Sequence, residues 1–432
     1  MVNSTWIKNL STPIAVVGLG KSGQSALRLL RATGISSSNL ITFDDRDPAA
    51  DFQKPDDLIL VCPRTLVVSP GVPLNTPWIQ QLIHSGVIIT SEISLACSLL
   101  TTEKIIGVTG SVGKSTVVSI LGQGGKAEDS NCFVGGNLGT PLSDYAFGLI
   151  EGKTKASWVV LELSSYQLEN CTGLQLDFSA ITYLSPNHLE RYENLQQYYE
   201  TKMKITAITK NTCVVNSSSA DAVLFSKKAL CPIVKVQAKT NLTDSDRSSI
   251  QLIGEHNHDN FSVAKKLGQL AAWNDRSIKA MAQFKGLSHR LENVGTFNGV
   301  QYVNDSKATA MDSVLVAAQG CCAKLSAGNK IYLLLGGKDK NLPWDQLRVL
   351  ENLTSLRFIF FGACRDTVKN KTGFAGNLFE TLGPALDFCF QNAKAGDIVL
   401  LSPGGTSLDE FKNFEIRGQF FKEKVLAFYS LK

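Results

Sequence analysis

Residues 107–116, GVTGSVGKST, join an apolar run to a helix-length segment and carry the groups that phosphate chemistry needs. Gly110 and Gly113 let the backbone approach an anion, and the N–H groups at the start of the helix then face its oxygens. Lys114 supplies a cation for β- and γ-phosphates, and the hydroxyl of Ser115 or Thr116 is placed to ligate Mg2+. Val108 stands where the general phosphate-loop pattern has its first glycine, so the loop is a T-G-x-x-G-K-S-T variant that points to ATP or GTP. Downstream, VVLELSSYQLE ends an apolar strand at Glu162, whose carboxylate suits a divalent cation at the mouth of the same sheet. A second glycine turn, VVGLGKSG, sets Gly18, Gly20 and Gly23 between a strand and a helix, with Asp44 or Asp45 ending the next strand. That spacing fits a nucleotide's diphosphate and ribose, with NAD or FAD as one class of occupant, and it equally fits a tight strand-to-helix turn alone.

Other residues stay ambiguous by type and spacing. His188 follows the apolar run in FSAITYLSPNHLERY, where a lone histidine is by default a capping or packing residue. Lys202 in QQYYETKMK reads as a solvated helical lysine. Asn257 and Asn260 lie one helical turn apart in GEHNHDN, which serves adenine recognition or helix capping. Arg290, Asp305 and Lys307 form either an anion clamp or a surface ion-pair network. Lys340, Ser407 and Phe414 follow the apolar runs of LLLGGKDK and LLSPGGTSLDEFKNFEIRG, the end of a parallel strand at which open α/β sheets bind ligands.

The elements that must position these groups recur as short β-branched runs followed by helix-length segments, the pattern of parallel α/β sheets. Three blocks separate: 1–99, 100–286 and 287–432, in keeping with 432 residues at ~150 per domain. In the first, a small Rossmann-type unit, strands are expected at 14–18, 40–44, 58–61, 65–69 and 87–90. The second is a phosphate-loop domain, and the third a further Rossmann-like domain ending in an amphipathic helix. Charged residues make up only 19% of the chain with a net charge of +5, too weak a basic excess for a nucleic-acid protein. The ten cysteines contain no C-x-x-C pair, which argues against zinc and for buried thiols in a reducing cytoplasm. No secretory signal is evident, and the uncharged stretch 66–91 carries Pro70, Pro73 and Pro77, unsuited to a membrane span.

Taken in order, GVTGSVGKST, LELSSYQLE, NHLERY, GEHNHDN, SHRLE, VNDSKAT, LLLGGKDK and LSPGGTSLDEFKNFEIRG resemble the Mur ligase family, ATP-dependent enzymes that extend the peptide of peptidoglycan precursors. The resemblance covers essentially the whole chain. The compact GLGKSG domain and the SLDEFKNFEIRG ending are similar to the branch that adds D-glutamate, and the DNPR motif of the diamino-acid branch is absent.

This resemblance implies a cytoplasmic monomer that takes UDP-N-acetylmuramoyl-L-alanine, D-glutamate, ATP and two Mg2+ ions. It implies that Lys21, Ser22, Asp44, Asp45, Arg46 and Gly71 surround the uridine and diphosphate, with Asn137 and His188 continuing toward the reacting carboxylate. Lys114, Ser115 and Thr116 would hold ATP and Mg2+, Glu162 and His188 would ligate metal, and Asn260 would meet the adenine. Lys202 matches the family's carbamylated lysine, so its charge would be inverted to help seat the second Mg2+. Arg290, Asp305 and Lys307 would close over ATP, and Thr309, Lys340, Ser407 and Phe414 would bind D-glutamate. Three positions depart from the pattern: Asn187 for an aspartate, Ala310 for an asparagine and Val112 for a polar residue. Competing readings are a sibling ligase for another amino acid, an NAD-dependent oxidoreductase built on the first glycine turn, and a nucleotide-binding regulator without turnover.

Overall fold

The computed structural model describes residues 5–186, 191–252, 254–309 and 311–430. Asn187, His188 and Ala310 therefore lie outside the described residues. The chain forms two compact units, one of Met1–Ser249 with Asp259–Gln283, the other of Ile250–His258 with Phe284–Lys432.

The first unit holds two parallel sheets. Strands β1 (Ile14–Val17), β2 (Leu40–Phe43), β3 (Thr65–Val68) and β4 (Ile88–Thr90) run in the order β2-β1-β3-β4. Strands β5 (Lys104–Thr109), β6 (Phe133–Gly136), β7 (Trp158–Glu162), β8 (Leu176–Ile181), β9 (Thr209–Asn216) and β10 (Ile233–Val236) run in the order β10-β9-β8-β5-β7-β6. Their central members are apolar on both faces because helices cover both sides of a parallel sheet; β1, β3 and β7 are buried at every residue. Helix Lys21–Ala32 packs Ala26, Leu29 and Leu30 into the same apolar cluster as Leu142 and Ala146 of helix Leu142–Ile150, so one core spans both sheets. Burying each such leucine contributes about 2 kcal/mol. Polar ties reinforce the junction: Ser25 donates to Asp144 at 2.8 Å, and the main-chain N–H of Ser143 donates to the buried Glu92 carboxyl at 2.5 Å.

One expected strand is corrected. Residues 58–61 end a helix, Pro55–Leu60, and the following turn. Pro55 fits a helix start, Asp56 and Asp57 favour the positive end of its dipole, and a four-residue apolar run does not distinguish strand from helix by itself.

The second unit carries β11 (Glu292–Phe297), β12 (Val300–Asn304), β13 (Ile331–Gly336), β14 (Leu356–Phe361), β15 (Gly376–Phe379) and β16 (Ile398–Gly404), in the order β11-β12-β16-β13-β14-β15. All neighbours are parallel except β11, which pairs antiparallel with β12 through the turn at Asn298 and Gly299, both at positive φ. Two apolar clusters, one built on Trp344 and Phe360 and one on Phe361 and Phe421, cover the sheet's faces. The chain is thus α/β throughout, and among the described residues no helix is long and apolar enough to cross a membrane.

Candidate active site

In the first unit, β5 delivers the phosphate loop at its C-terminal end. Gly110 and Gly113 hold φ of 147° and 91°, and a Cβ on either would collide with the side chain of Thr182 or Asn260 at 2.0 or 2.4 Å. The loop is braced from outside: Thr182 Oγ1 donates to Val112 O at 2.6 Å, and Ser111 Oγ donates to Ser185 O at 2.8 Å. Lys114 Nζ donates to the carbonyls of Gly110 and Ser111 at 2.8 and 3.0 Å. Ser115 is buried and Thr116 half-buried at the start of helix Lys114–Glu128.

Parallel pairing puts Glu162 of β7 level with Val108 of β5 and Gly136 of β6, hence at the mouth beside the loop. Its Oε1 accepts from Asn137 Nδ2 at 2.6 Å, and its buried Oε2 has no hydrogen-bond partner among the described residues. A buried carboxylate oxygen left open in this way fits a hard divalent cation. Among the described residues no cluster of three carboxylate, imidazole or thiolate groups stands ready to hold a metal alone. A cation here would draw on Glu162, the Ser115 hydroxyl and phosphate oxygens, the usual habit of Mg2+.

Lys202, expected as a surface lysine by default, is buried at 2% exposure on helix Leu195–Met203. Its Nζ donates to Gly110 O at 2.8 Å and lies 4.6 Å from the Tyr198 ring centre. Burial, reinforced by the nearby charge of Lys114 and opposed by Glu162, pushes its pKa down to about 6. Burial thus favours the neutral amine, the form that adds CO2 to give a carbamate.

A cleft of about 550 Å3 opens between the two sheets of this unit. Lys21, Ser22, Asp44, Asp45, Arg46, Gly71 and Asn137 all line it, so the tertiary fold gathers positions spread over more than a hundred residues. Asp44 does structural work as well: it accepts from the main-chain N–H of Leu19 at 2.7 Å and of Arg46 at 2.9 Å, and these bonds hold its pKa below the usual carboxylate value. The Lys21 ammonium bonds Gly139 O, while Asp45 and Arg46 are exposed. Gln167 and the tilted ring pair of Phe43 and Trp78 also face the cleft. The sequence reading missed these three. Gln167 had a signal in the Ser164-x-x-Gln167 capping box, which the structure forms; the ring pair had none. Asn260 is buried against Gly113.

In the second unit, Arg290 lies just before β11, Asp305, Lys307 and Thr309 follow β12, Lys340 follows β13, and Ser407 and Phe414 follow β16. Because β12, β16 and β13 are consecutive in the sheet, Thr309, Lys340 and Ser407 come from adjacent strand ends, the expected ligand edge. Lys307 Nζ lies 3.9 Å from the Phe414 ring centre. Asp305 is buried, accepts from Ser402 Oγ at 2.8 Å and is pushed up to about 7 by desolvation. Arg290, Thr309 and Lys340 are exposed. Unforeseen is Arg417, fully buried, whose guanidinium donates to Ser306 and Gly405 and so ties the turn after β12 to the turn after β16.

Residues 108–271 match the model of the Mur ligase middle domain. The chain is 33% identical to the UDP-N-acetylmuramoylalanine--D-glutamate ligase of Myxococcus xanthus, covering 96% of this chain and 98% of that protein. It is 32% identical to the enzyme of the same name from Haemophilus influenzae, again over 96% and 98%. The chain belongs to the Mur ligase family. The crystal structure of the MurF ligase of Thermotoga maritima in complex with ADP has the same fold, with a TM-score of 0.61 at 14% identity over 90% of this chain and 95% of that one. The Mur ligase middle domain begins inside β5 and ends just after helix Glu255–Leu270, so it contains the phosphate loop, Glu162, Lys202 and Asn260.

Proposed function

We propose that this chain joins D-glutamate to UDP-N-acetylmuramoyl-L-alanine at the expense of ATP, a step in peptidoglycan precursor synthesis. What carries the reading is the match, over nearly the full length of both chains, to ligases named for this reaction. The site geometry supports it, with a phosphate loop, a carboxylate with one open oxygen and a buried neutral amine at one sheet edge.

A carboxylate is a poor acyl donor, so ATP first phosphorylates the L-alanine carboxylate. The amine of D-glutamate attacks the acyl phosphate, and the tetrahedral adduct collapses to amide and phosphate after losing a proton. Lys114 offsets the charge on the transferring phosphoryl group, and the loop N–H groups orient it. We assign Glu162, Ser115, carbamylated Lys202 and His188 to two Mg2+ ions, which when bound spread the phosphoryl charge. The cleft residues hold the UDP end, with Asn137 linking that cleft to Glu162. Asn260, Arg290, Asp305 and Lys307 are assigned to ATP, and Thr309, Lys340, Ser407 and Phe414 to D-glutamate. The three blocks 1–99, 100–286 and 287–432 then divide the labour as UDP-substrate, ATP and amino-acid modules of a cytoplasmic monomer.

The test is phosphate release from ATP with Mg2+ and UDP-N-acetylmuramoyl-L-alanine, comparing D-glutamate with L-glutamate, L-alanine and a diamino acid. Release with D-glutamate alone is expected. Release with another amino acid moves the chain to a sibling reaction, and silence with all of them rejects catalysis.

A further inference from the structure

Arg191 takes part in no step assigned above, yet its guanidinium makes four hydrogen bonds to two separate segments. It is 9% exposed, in the first unit. Its Nε and Nη2 donate to the two oxygens of Glu169 at 3.3 and 2.6 Å, and its Nη1 and Nη2 donate to the main-chain oxygens of Pro70 and Val72 at 3.1 and 3.4 Å. The guanidinium lies over the Tyr166 ring, 4.2 Å from its centre, and the Tyr192 hydroxyl fixes Glu169 from another side at 2.7 Å.

A buried ion pair is by itself weak evidence of stabilisation, because desolvation of both charges offsets their attraction. The informative contacts are the two carbonyls. They flank Gly71, which lines the 550 Å3 cleft and beside which an added Cβ would meet open space. On its other side the same loop is fixed by Ser69, whose N–H donates to Val17 O at 2.9 Å and whose hydroxyl donates to Gly18 O at 2.6 Å. Glu169 ends helix Ser165–Glu169, which begins three residues after Glu162 and also carries Gln167 of the cleft wall. One guanidinium thus ties the loop of the first sheet to the helix that follows the carboxylate strand of the second.

We propose that Arg191 is a positioning residue for the UDP-linked substrate. By clamping Pro70 and Val72 to Glu169 it sets the span between the loop at Gly71 and the Glu162 strand, and so the depth at which the substrate's carboxylate reaches the phosphate loop. A planar fork of donors grips a carboxylate bidentately and reaches two carbonyls at once in fixed directions, whereas a lysine ammonium offers only three donors from a single point and no bidentate grip. The inference rests on the function proposed above.

The experiment measures calorimetric binding of UDP-N-acetylmuramoyl-L-alanine, and KM for each substrate, in the wild type, Arg191→Lys and Glu169→Gln, with melting temperatures recorded. Displacing a bound substrate by about 1 Å costs roughly 10- to 100-fold, so Arg191→Lys should weaken that binding by about tenfold or more. KM for the UDP-linked substrate should rise in step, while KM for ATP and for D-glutamate stays within about twofold. Glu169→Gln, which keeps the arginine, should shift the same single KM in the same direction and carries the test if Arg191→Lys does not fold. Unchanged binding in a folded variant, or an equal rise of all three KM values, overturns the positioning role. A wild type that does not bind the UDP-linked substrate overturns the functional reading itself, before any variant is compared.

Discussion

Lys114, Glu162 and Lys202 differ in how their side chains are constrained, and so in what changing each should do. Lys114 donates to the carbonyls of its own loop, bonds that phosphate oxygens would replace; Lys114→Ala should lower kcat by about 1000-fold while leaving the melting temperature and binding of the UDP-linked substrate intact. Kinetics set beside calorimetry checks this, and a loss of both together would mean that the lysine holds the fold instead. Lys202 is a neutral buried amine because water is excluded and Lys114 is near. Addition of CO2 converts R–NH2 to R–NH–COO− with release of one proton, and the carbamate anion then faces the same cation. With 13C-labelled bicarbonate, the wild type should show a bound carbamate carbon that Lys202→Arg lacks; active wild-type protein without the label would reject the modification.

Elements matter here through what they hold at their ends. β6 ends at Gly136, at φ 92°, where a Cβ would lie 2.4 Å from Glu162 O. Gly136→Ala should therefore push the Glu162 carboxylate out of place and, with Glu162 assigned to Mg2+, raise the Mg2+ concentration needed for half-maximal rate by about tenfold, with a modest loss of stability. A magnesium titration of the folded variant checks it. Helix Glu92–Cys97 is pinned to helix Leu142–Ile150 by the Glu92 carboxyl, which burial pushes up from 4.5 to about 7. A carboxyl raised on folding contributes fully below pH 4.5, and that contribution is lost as the pH rises through about 7. Glu92→Gln keeps an oxygen to accept from Ser143 and removes the titration. It should be more stable than the wild type at pH 8, with a higher melting temperature and a gap in stability approaching ~3 kcal/mol, and the two should converge below about pH 4.5. Melting curves across that range decide.

At the scale of the molecule, the first unit holds the cleft assigned to the UDP end and the phosphate loop around a shared core, and the second has clusters of its own. UDP-N-acetylmuramoyl-L-alanine alone should raise the unfolding transition of the first unit, by about 2.7 kcal/mol at one hundred times Kd, and leave that of the second in place. Scanning calorimetry with and without the substrate tests this; movement of both transitions would show that the ligand reads the whole chain. The same division explains what was legible beforehand. The phosphate loop was plain in GVTGSVGKST because its chemistry is local: glycines that bend, a lysine and a hydroxyl within ten residues. The α/β class was plain from the alternation of apolar runs and helices, and the strand misjudged, 58–61, is a run too short to carry periodicity; β6, FVGG, is a strand whose apolar run glycine interrupts. Asn298-Gly299 was a hairpin signal that would have revealed β11. By type and spacing Lys202 looked like a solvated lysine and Arg191 was only part of a motif, because burial and partner distance are not local properties. Sequence by itself determined which residues could do phosphoryl chemistry and the class of fold that would carry them. Only the tertiary structure decided which charges lose water, which oxygen of Glu162 stays open and which loop Arg191 clamps, because desolvation and hydrogen-bond geometry arise between segments that meet only when the chain folds.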